Sequence, residues 1–558
     1  MTTTGIKGTK SPRGLSRRAL LKATAGTAAL LGALQAKFPG GAHIAQAAGP
    51  EVKKANLGFI ALTDAAPLFV AREKGIFAKY GMPDVEVQKQ ASWGATRDNL
   101  VLGSEGNGID GAHILTPMPY LISAGKVTQN NVPTPMYILA RLNLDSQCIS
   151  VGKEYAEQRI GLDTKPFKEA LDKKKAAGKS VKAAMTFPGG THDLWIRYWL
   201  AAGGIDPDKD IETIVVPPPQ MVANMKVGTM DCFCVCEPWN LQLIHQNIGY
   251  TAITTGELWN KHPEKSLGLR AAYVDKYPNA AKALLMATME AQMWCEKMEN
   301  REEVAAICAK RQWINCPVED VTDRMKGKFD YGIPGKVVEN SPHIMKYWRD
   351  FASYPFQSHD LWFITEDIRW GKFEPDVDAK ALIKKVNRED LWRDAAKAIL
   401  MATMEAQQWC EKPENHAEVA AICAKRQWIN CPVEDVTDRV KGKFDYGIPG
   451  KVVEKSPHIM RYWNDFASYP FQSHDLWFLT EDIRWGKFEV GYDTKALIAK
   501  VNREDMWREA AKELNVPADQ IPASTSRGKE TFFDGKVFDP ADPVAYLKSQ
   551  AIKRADIS

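Results

Sequence analysis

A Pro-Gly-Gly turn followed closely by a histidine is the first place in this chain where residue types and spacing suggest chemistry. The turn lies in FPGGTHD, residues 187–193. The apolar run before it predicts a strand, and a helix is predicted to begin at Thr191 and end at a double glycine. Glycine lets the backbone approach a ligand, and the first turn of a helix has unpaired N–H groups. Gly190, Thr191 and His192 are therefore predicted to bind a small anion, and an ordinary capped helix is the alternative interpretation.

The elements that must position this segment alternate between strands and helices. This rhythm predicts an α/β fold with parallel sheets and helices on both faces, in which ligands bind in a cleft beyond the strand ends. A chain of 558 residues exceeds one ordinary domain and suggests at least two lobes. The predicted strands are 53–62, 85–88, 111–115, 182–187, 213–216 and 231–235, and the predicted helices are 67–80, 96–102, 191–202 and 221–227.

Residues 1–47 have the composition of an export signal. They contain seven basic residues and no acidic ones, with Arg17-Arg18 ahead of the apolar run 23–34 and a small-residue cleavage site at 45–47. This pattern predicts a twin-arginine signal peptide, and a disordered basic arm is the alternative. The apolar run is too short to span a membrane, so the mature protein is predicted to be soluble and periplasmic.

Three cysteines alternate along one predicted strand. Cys232, Cys234 and Cys236 occur in DCFCVCEPW and would share one face of that strand. A soft-metal site is one interpretation, but no histidine is interleaved and the spacing is not that of a zinc site. We expect buried, small apolar cysteines instead, and we predict neither a metal ion nor a cofactor.

The chain repeats a block of its own sequence. Residues 280–394, called copy 1, recur as residues 395–509, called copy 2, at a constant offset of 115 and with 98 of 115 positions identical. Two nearly identical copies are too few for a solenoid and indicate a recent tandem duplication. Each copy is predicted to begin with a long helix, and a capping box is predicted at the second helix, with Asn300 and Glu303 in copy 1.

Several motifs together resemble the periplasmic nitrate- and bicarbonate-binding proteins of ABC importers. They are LGFIALTDAAPLFVAREKGIFAKYG, ASWGATRDNL, DGAHILTPMPY, FPGGTHDLWIRYWLAAGGIDP, PPPQMVANMKVGTMD with EPWN, and STSRGKETFFDGKVFDP. The resemblance runs from about residue 54 to 548, with one 115-residue copy in excess. It implies a two-lobed type II binding protein that closes on its ligand by a hinge.

The resemblance also implies four side chains around the anion. They match Trp93 in ASWGATRDN, Gln147 in LNLDSQCIS, His192 in FPGGTHD and Lys265 in HPEKSLGLR. Nitrate is planar, monovalent and can only accept hydrogen bonds. Gln147 and His192 can donate such bonds, and Lys265 supplies the opposite charge.

Lys265 also distinguishes the two kinds of relative. The bicarbonate binders are similar but have an acidic residue near this position and use a calcium ion. A lysine beside the anion removes the need for a cation, so nitrate, with nitrite as its close relative, is the first prediction. Bicarbonate stays open because Glu264 is adjacent, and a related sulfonate-type oxyanion is a further alternative.

The repeat and the resemblance together predict the domain organisation. None of the four ligand positions lies in either copy, so one binding site per chain is expected. The family has one docking place for the block, so a spare copy would expose an apolar face, and a domain-swapped dimer is one resolution. The predicted divisions are a signal peptide (1–47), lobe 1 (48–143, returning at 249–279), lobe 2 (144–248), copy 1 as a lobe 1 block (280–394), copy 2 (395–509) and a C-terminal tail (510–558).

Three other function classes are disfavoured. Removing the seven positive charges of residues 1–47 takes the formal charge from +4 to −3, which argues against nucleic acid as a partner. The chain has no Gly-rich phosphate loop, no HExxH and no GxSxG, so no enzyme activity is predicted. A cytosolic sensor on the same fold conflicts with the twin-arginine signal. We predict partnership with the permease and ATPase of an ABC importer.

Overall fold

The computed structural model describes residues 49–426, 428–554 and 556, so the predicted export signal lies outside the described residues. The described chain divides into two compact units, Gly49–Ala396 and the residues from Lys397 onward. The first unit contains two five-stranded sheets, which define its two lobes. In the described residues no helix is long and apolar enough to cross a membrane.

The first lobe is built on a sheet with the strand order β2-β1-β3-β10-β4. Strands β1, β2 and β3 are parallel, whereas β10 runs antiparallel to both of its neighbours, β3 and β4. The bounds are Lys54–Phe59 for β1, Asp84–Lys89 for β2, Gly111–Leu115 for β3, Met136–Arg141 for β4 and Lys265–Arg270 for β10.

The second lobe is built on a sheet with the order β7-β6-β8-β5-β9. Here β6 is parallel to β7 and β8, and β5 runs antiparallel to β8 and β9. The bounds are Gln147–Gly152 for β5, Lys182–Met185 for β6, Glu212–Val215 for β7, Cys232–Cys236 for β8 and Gly249–Thr254 for β9.

The two-lobed α/β fold is as predicted, but the sheets are mixed rather than wholly parallel. The chain crosses from β4 to β5 and returns from β9 to β10, and each crossing adds a strand that runs against its neighbours. The return also begins later than predicted. Residues 249–254 form β9 of the second sheet, so the first lobe resumes at β10 and not at residue 249.

Helices before residue 278 pack on these two sheets. The predicted helix 67–80 is two helices, because Gly75 between them has a left-handed backbone with φ of +68°. The helices are α1 (Ala66–Glu73), α2 (Ile76–Lys79), α3 (Trp93–Leu102), α4 (Met118–Ser123), α5 (Lys165–Ala176), α6 (Thr191–Ala202), α7 (Met221–Lys226), α8 (Trp239–His245) and α9 (Ala271–Lys276).

Copy 1 covers both lobes, not the first lobe alone as predicted. Its first helix packs on α1 and α2, whereas later helices pack on α8 and α6 of the second lobe. The backbone N–H of Thr251 in β9 also donates to the carbonyl of Tyr331. The elements are α10 (Pro278–Glu296), α11 (Arg301–Ala309), α12 (Glu319–Met325), β11 (Phe329–Asp330), β12 (Val337–Val338), α13 (Gln357–Arg369) and α14 (Ala379–Val386).

The second unit contains copy 2 and the C-terminal tail, which packs against it. Tyr546 in the tail donates to Glu481 of copy 2, and the backbone N–H of Arg554 donates to the carbonyl of Arg484. The remaining elements are α15 (Glu389–Glu411), α16 (His416–Cys423), α17 (Glu434–Val440), β13 (Phe444–Asp445), β14 (Val452–Val453), α18 (Gln472–Arg484), α19 (Thr494–Val501), α20 (Glu504–Glu513), β15 (Glu530–Thr531), β16 (Val537–Phe538) and α21 (Pro543–Ser549).

The capping box predicted in each copy is wrong. Asn300 has helical backbone angles, and its side-chain amide donates to the carbonyl of Trp294 instead of accepting from the next helix. Asn415 makes the equivalent bond to Trp409 in copy 2.

Candidate functional site

The two lobes each contribute two of the four predicted side chains. Trp93 opens α3 and Lys265 opens β10 on the first lobe, while Gln147 opens β5 and His192 lies in the first turn of α6 on the second. All four side chains are fully buried. The four predicted ligand residues come from separate stretches of sequence. Each lies at or near the beginning of a strand or helix of the first unit.

Lys265, His192 and Gln147 are brought into direct contact. The Nζ atom of Lys265 lies 3.3 Å from Nε2 of His192, and that same Nε2 lies 2.8 Å from Oε1 of Gln147. Nδ1 of His192 lies 2.6 Å from the hydroxyl of Thr186. If Thr186 donates to Nδ1, the His192 proton is on Nε2, where it is donated to Oε1 of Gln147.

Two carboxylates that the sequence analysis did not assign hold the lysine. Nζ of Lys265 lies 2.9 Å from Oδ2 of Asp64 and 2.5 Å from Oε2 of Glu264. Asp64 is part of the quoted motif ALTDAAP, so its signal was present in the sequence. The bicarbonate alternative depends on Glu264 in place of Lys265. Both residues face the same cluster.

Asp64 also pairs with a histidine. Oδ1 of Asp64 lies 2.6 Å from Nε2 of His113, a fully buried residue of β3 that lies within the quoted motif DGAHILTPMPY. The other ring nitrogen of His113, Nδ1, has no partner among the described residues. His113 is therefore a second site residue that sequence reasoning missed.

The start of α6 has the geometry that the glycine turn predicted. Gly189 has a left-handed φ of +74°, and its N–H donates to Oδ2 of Asp193 at 2.8 Å. A Cβ on Gly190 would lie 2.5 Å from Leu115 Cδ1, so no side chain fits there without a shift. The hydroxyl of Thr191 donates to Oε2 of Glu264 at 2.8 Å. The turn thus ties the start of α6 to the residue beside Lys265.

Trp93 is adjacent to these residues through His113. The two rings have centroids 5.3 Å apart, and the indole N–H of Trp93 has no partner in the described part of the chain. A buried tryptophan N–H usually has a partner, so this donor is one of the groups that a ligand in the cluster could satisfy.

The electrostatics keep the lysine charged and the histidines neutral. Burial disfavours the ammonium of Lys265, but the carboxylates of Asp64 and Glu264 outweigh it and raise its pKa. Burial acts to raise the pKa of Asp64, but Lys265 and His113 lower it far more. Burial and the charge of Lys265 hold the pKa of His192 well below its usual value. Burial also lowers the pKa of His113, against the opposing effect of Asp64.

The three alternating cysteines are buried on β8, as predicted. Burial raises the pKa of Cys232, Cys234 and Cys236 well above the usual value, so they behave as neutral thiols. Among the described residues no group of three or more His, Cys, Asp or Glu side chains is arranged to hold a metal ion.

The cluster can bind a small acceptor-only anion. The Lys265 ammonium lies against the His192 imidazole, and the indole N–H of Trp93 has no partner among the described residues. All three side chains are fully buried. Charge-assisted hydrogen bonds are strong in such surroundings. The cluster is built from both lobes of the first unit and has the groups of a ligand-binding site.

Comparisons with known proteins agree with this class. Residues 48–309 match the model of the NMT1-like family. The nitrate/nitrite-binding protein NrtA of Synechocystis is 49% identical over 504 residues, 90% of this chain and 86% of that protein. Its crystal structure matches with a TM-score of 0.60 over 90% of this chain and 99% of that chain. The bicarbonate-binding protein CmpA of Synechococcus elongatus is 37% identical over 90% of this chain and 88% of that protein.

Together with the fold, these similarities define the molecule as a two-lobed substrate-binding protein. The chain belongs to the family that contains the nitrate/nitrite-binding protein NrtA.

Proposed function

We propose that this protein captures nitrate, with nitrite as a close relative, and delivers it to the membrane components of an ABC importer. The ammonium of Lys265, held between two lobes and in contact with His192, is the observation that carries the proposal. The greater identity to the nitrate/nitrite-binding relative than to the bicarbonate-binding one supports the same choice. The protein is a binding protein and not an enzyme.

The proposed ligand set consists of Trp93, Gln147, Gly190, Thr191, His192 and Lys265. Lys265 supplies the opposite charge, and Nε2 of His192 lies 3.3 Å from its Nζ atom. Gln147 orients that imidazole through its Oε1 atom, and its amide N–H₂ donates to Oδ2 of Asp64 at 3.3 Å. Trp93 adds an indole N–H without a partner in the described chain. Gly190 and Thr191 contribute the backbone N–H groups at the start of α6.

Bicarbonate is the alternative ligand because Glu264 lies in the same cluster. In this structure the lysine ammonium lies 2.5 Å from Glu264, where a bound cation would compete with it for the carboxylate. Nitrate is favoured because the Lys265 ammonium already occupies the position beside Glu264 that a bound cation would need.

A calorimetric titration of the mature protein tests the proposal. We expect heat with nitrate in the absence of calcium, at one site per chain, and none with bicarbonate. The variant Lys265→Glu should abolish nitrate binding and is expected to create calcium-dependent bicarbonate binding. The matched control Lys261→Glu changes a half-exposed lysine that pairs with Asp350 and should leave nitrate affinity unchanged. Nitrate affinity retained in Lys265→Glu would remove Lys265 from the site.

We further propose that the protein works in the periplasm after twin-arginine export. The basis is the Arg17-Arg18 pair in a segment rich in basic residues, together with the family relationship. Cell fractionation of the wild-type chain and of the double variant Arg17→Lys, Arg18→Lys tests this. The wild type should be cleaved and periplasmic, whereas uncleaved variant protein should accumulate in the cytoplasm. Equal export of both would rule out the twin-arginine route.

Self-association through copy 2 is a second proposal about partners. Trp428, Ile429, Met460 and Phe478 are exposed, and the identical residues of copy 1 are buried. A reciprocal domain swap would still leave one copy per chain uncovered, so we propose that two uncovered copy 2 faces pair in a dimer. Light scattering should give a dimer for the full chain and a monomer after deletion of residues 395–509. A full chain that stays monomeric at high concentration would contradict this.

A further inference from the structure

The anion site has an unbalanced set of charges. Asp64 and Glu264 are two carboxylates, and Lys265 is the single ammonium that contacts them both. All three side chains are fully buried. Other buried charged groups of the first unit pair with each other, such as Arg324 with Glu237 at 2.6 Å and Lys346 with Asp145 at 2.5 Å. With His113 and His192 both neutral, the cluster of Asp64, Glu264 and Lys265 therefore carries one net negative charge.

A monovalent anion would add a second negative charge to this cluster. Buried charges are costly unless they are compensated, because little water remains to solvate them. The site has no free surface over which the charge could spread. A compensating positive charge must therefore enter with the anion, and the described residues offer titratable groups that could carry it as a proton.

His113 is better placed than His192 to take that proton. Nε2 of His113 already lies 2.6 Å from Oδ1 of Asp64, so the imidazolium would form an ion pair at once. Its Nδ1 has no partner among the described residues and could become a new N–H donor. His192 lies 3.3 Å from the Lys265 ammonium, and that like charge opposes its protonation.

The groups that face His113 come from every element packed around it. Asp64 and Glu264 favour its protonation, Lys265 opposes it, and a charged His192 on α6 would oppose it as well. The ring of Trp93 adds no charge. Before the anion enters, burial keeps the pKa of His113 below its ordinary value of 6.5. A bound anion acts in the opposite direction, so its arrival favours the charged imidazole.

We propose that the anion binds together with one proton, which His113 takes up between Asp64 and the bound anion. This inference rests on the proposed function and deepens it, because it makes capture dependent on pH. Affinity should rise as pH falls, since the bound state holds one more proton than the free state. The protein would bind nitrate more tightly in a mildly acidic compartment than in an alkaline one.

Calorimetry in two buffers tests the inference directly. Nitrate is titrated into the full chain at pH 7 in phosphate and in Tris, whose enthalpies of ionisation differ. The difference in binding heat should correspond to about one proton taken up per anion, and affinity should fall by up to about tenfold per pH unit above neutrality. Equal heats in both buffers, with affinity flat between pH 6 and 8, would overturn the inference. No heat in any buffer would instead overturn the proposed function.

Two variants assign the proton. His113→Gln keeps a neutral donor toward Asp64 and should abolish the buffer dependence. Asp64→Asn removes one negative charge from the cluster, so that no compensating proton is needed. It should therefore also abolish the buffer dependence. His245→Gln, a change at a partly exposed histidine paired with Asp320, should alter neither affinity nor buffer dependence. Thermal melting of each variant confirms that it is folded. Proton uptake that persists in folded His113→Gln would contradict the assignment.

Discussion

Copy 1 and copy 2 have nearly the same sequence in two different surroundings. Trp313 of copy 1 is 4% exposed, whereas the identical Trp428 of copy 2 is 65% exposed. Phe363 is fully buried, and its counterpart Phe478 is 61% exposed. Both copies form the same helices and short hairpin, so local sequence fixes the elements. What buries a residue is the partner surface, and copy 1 packs on the two lobes of its own unit.

At one helix the difference in exposure is reversed, and the residue of copy 2 is the more buried one. Leu476 in α18 of copy 2 is 7% exposed and packs with Phe538 and Tyr546 of the tail, whereas Leu361 in α13 of copy 1 is 38% exposed. Copy 1 therefore has the lobes as its partner and copy 2 has the tail. Each copy has only part of the surroundings that a single block would have in an unduplicated chain.

The largest difference between the copies is expected at the tryptophan pair. Trp313 stacks on Phe69 with ring centroids 4.7 Å apart, and its N–H donates to Glu73. Trp313→Ala should cost about 3–5 kcal/mol of unfolding free energy because it leaves a cavity in a packed core. Trp428→Ala should cost less than about 0.5 kcal/mol. Urea titration followed by circular dichroism compares the two, and equal losses would mean that copy 2 is also packed on a core.

Two deletions compare the copies as occupants of the same lobe surface. Removing 280–394 or 395–509 leaves one block followed by the tail in either case. Arg301 of copy 1 is buried and donates to the carbonyl of Met345, but its counterpart in copy 2 is His416. The chain that keeps copy 2 should be less stable by about 1–3 kcal/mol, because that buried carbonyl loses its partner. Differential scanning calorimetry measures this.

The reverse substitution provides the control for these deletions. His416→Arg in the chain that keeps copy 2 should recover much of the loss. A chain with copy 2 that equals the chain with copy 1 in stability would show that Arg301 does not distinguish them.

A buried aspartate gives a smaller effect with a defined pH dependence. Neither carboxylate oxygen of Asp367 has a partner among the described residues, and burial, with Asp193 nearby, raises its pKa well above the usual value. A pKa that is higher in the folded state than in the unfolded state adds stability that is fully present below the unfolded pKa and is lost as pH rises through the folded pKa.

Asp367→Asn should therefore stabilise the protein by about 1–2 kcal/mol at pH 7 and by little below pH 4. Asp482→Asn is the matched control, because Asp482 of copy 2 pairs with Lys487 at 2.9 Å. Thermal melting at both pH values is the measurement. A stabilisation that is as large below pH 4 as at pH 7 would exclude the ionisation of Asp367 as its cause.

Thiol labelling gives the smallest difference between the copies. Cys295 and Cys308 are buried in copy 1, whereas Cys410 and Cys423 are half-buried in copy 2. The copy 2 thiols should react first with a maleimide under native conditions, and mass spectrometry of the peptides locates the label. Faster labelling of the copy 1 thiols would contradict the assignment of copy 1 to the lobes.

Much of the fold followed from the sequence where a local signal existed. Gly111–Leu115 forms the predicted strand, and α6 has the predicted bounds at Thr191 and Ala202, because glycine turns mark the beginning and end of that helix. The mixed sheets could not be predicted in this way. Strand direction depends on where the chain crosses between lobes, and no residue near β5 or β10 signals a crossing.

The site divides in the same way. Gln147, His192 and Lys265 came from the family motifs, and the structure brings them into contact. Asp64 and His113 lie within motifs quoted for the resemblance, but they were missed because nothing inside those motifs marks either residue as part of the site. Their role depends on the contact between β3 and the turn that contains Asp64, which are 49 residues apart in the chain.

Parallel titrations of nitrate, without calcium, into the full chain and into the chain lacking 395–509 test the central claim most directly. That claim is that one site, formed by the two lobes under copy 1, binds the anion, and that copy 2 adds none. We expect one site per chain and the same affinity in both proteins. Two sites in the full chain, or no binding after the deletion, would contradict it.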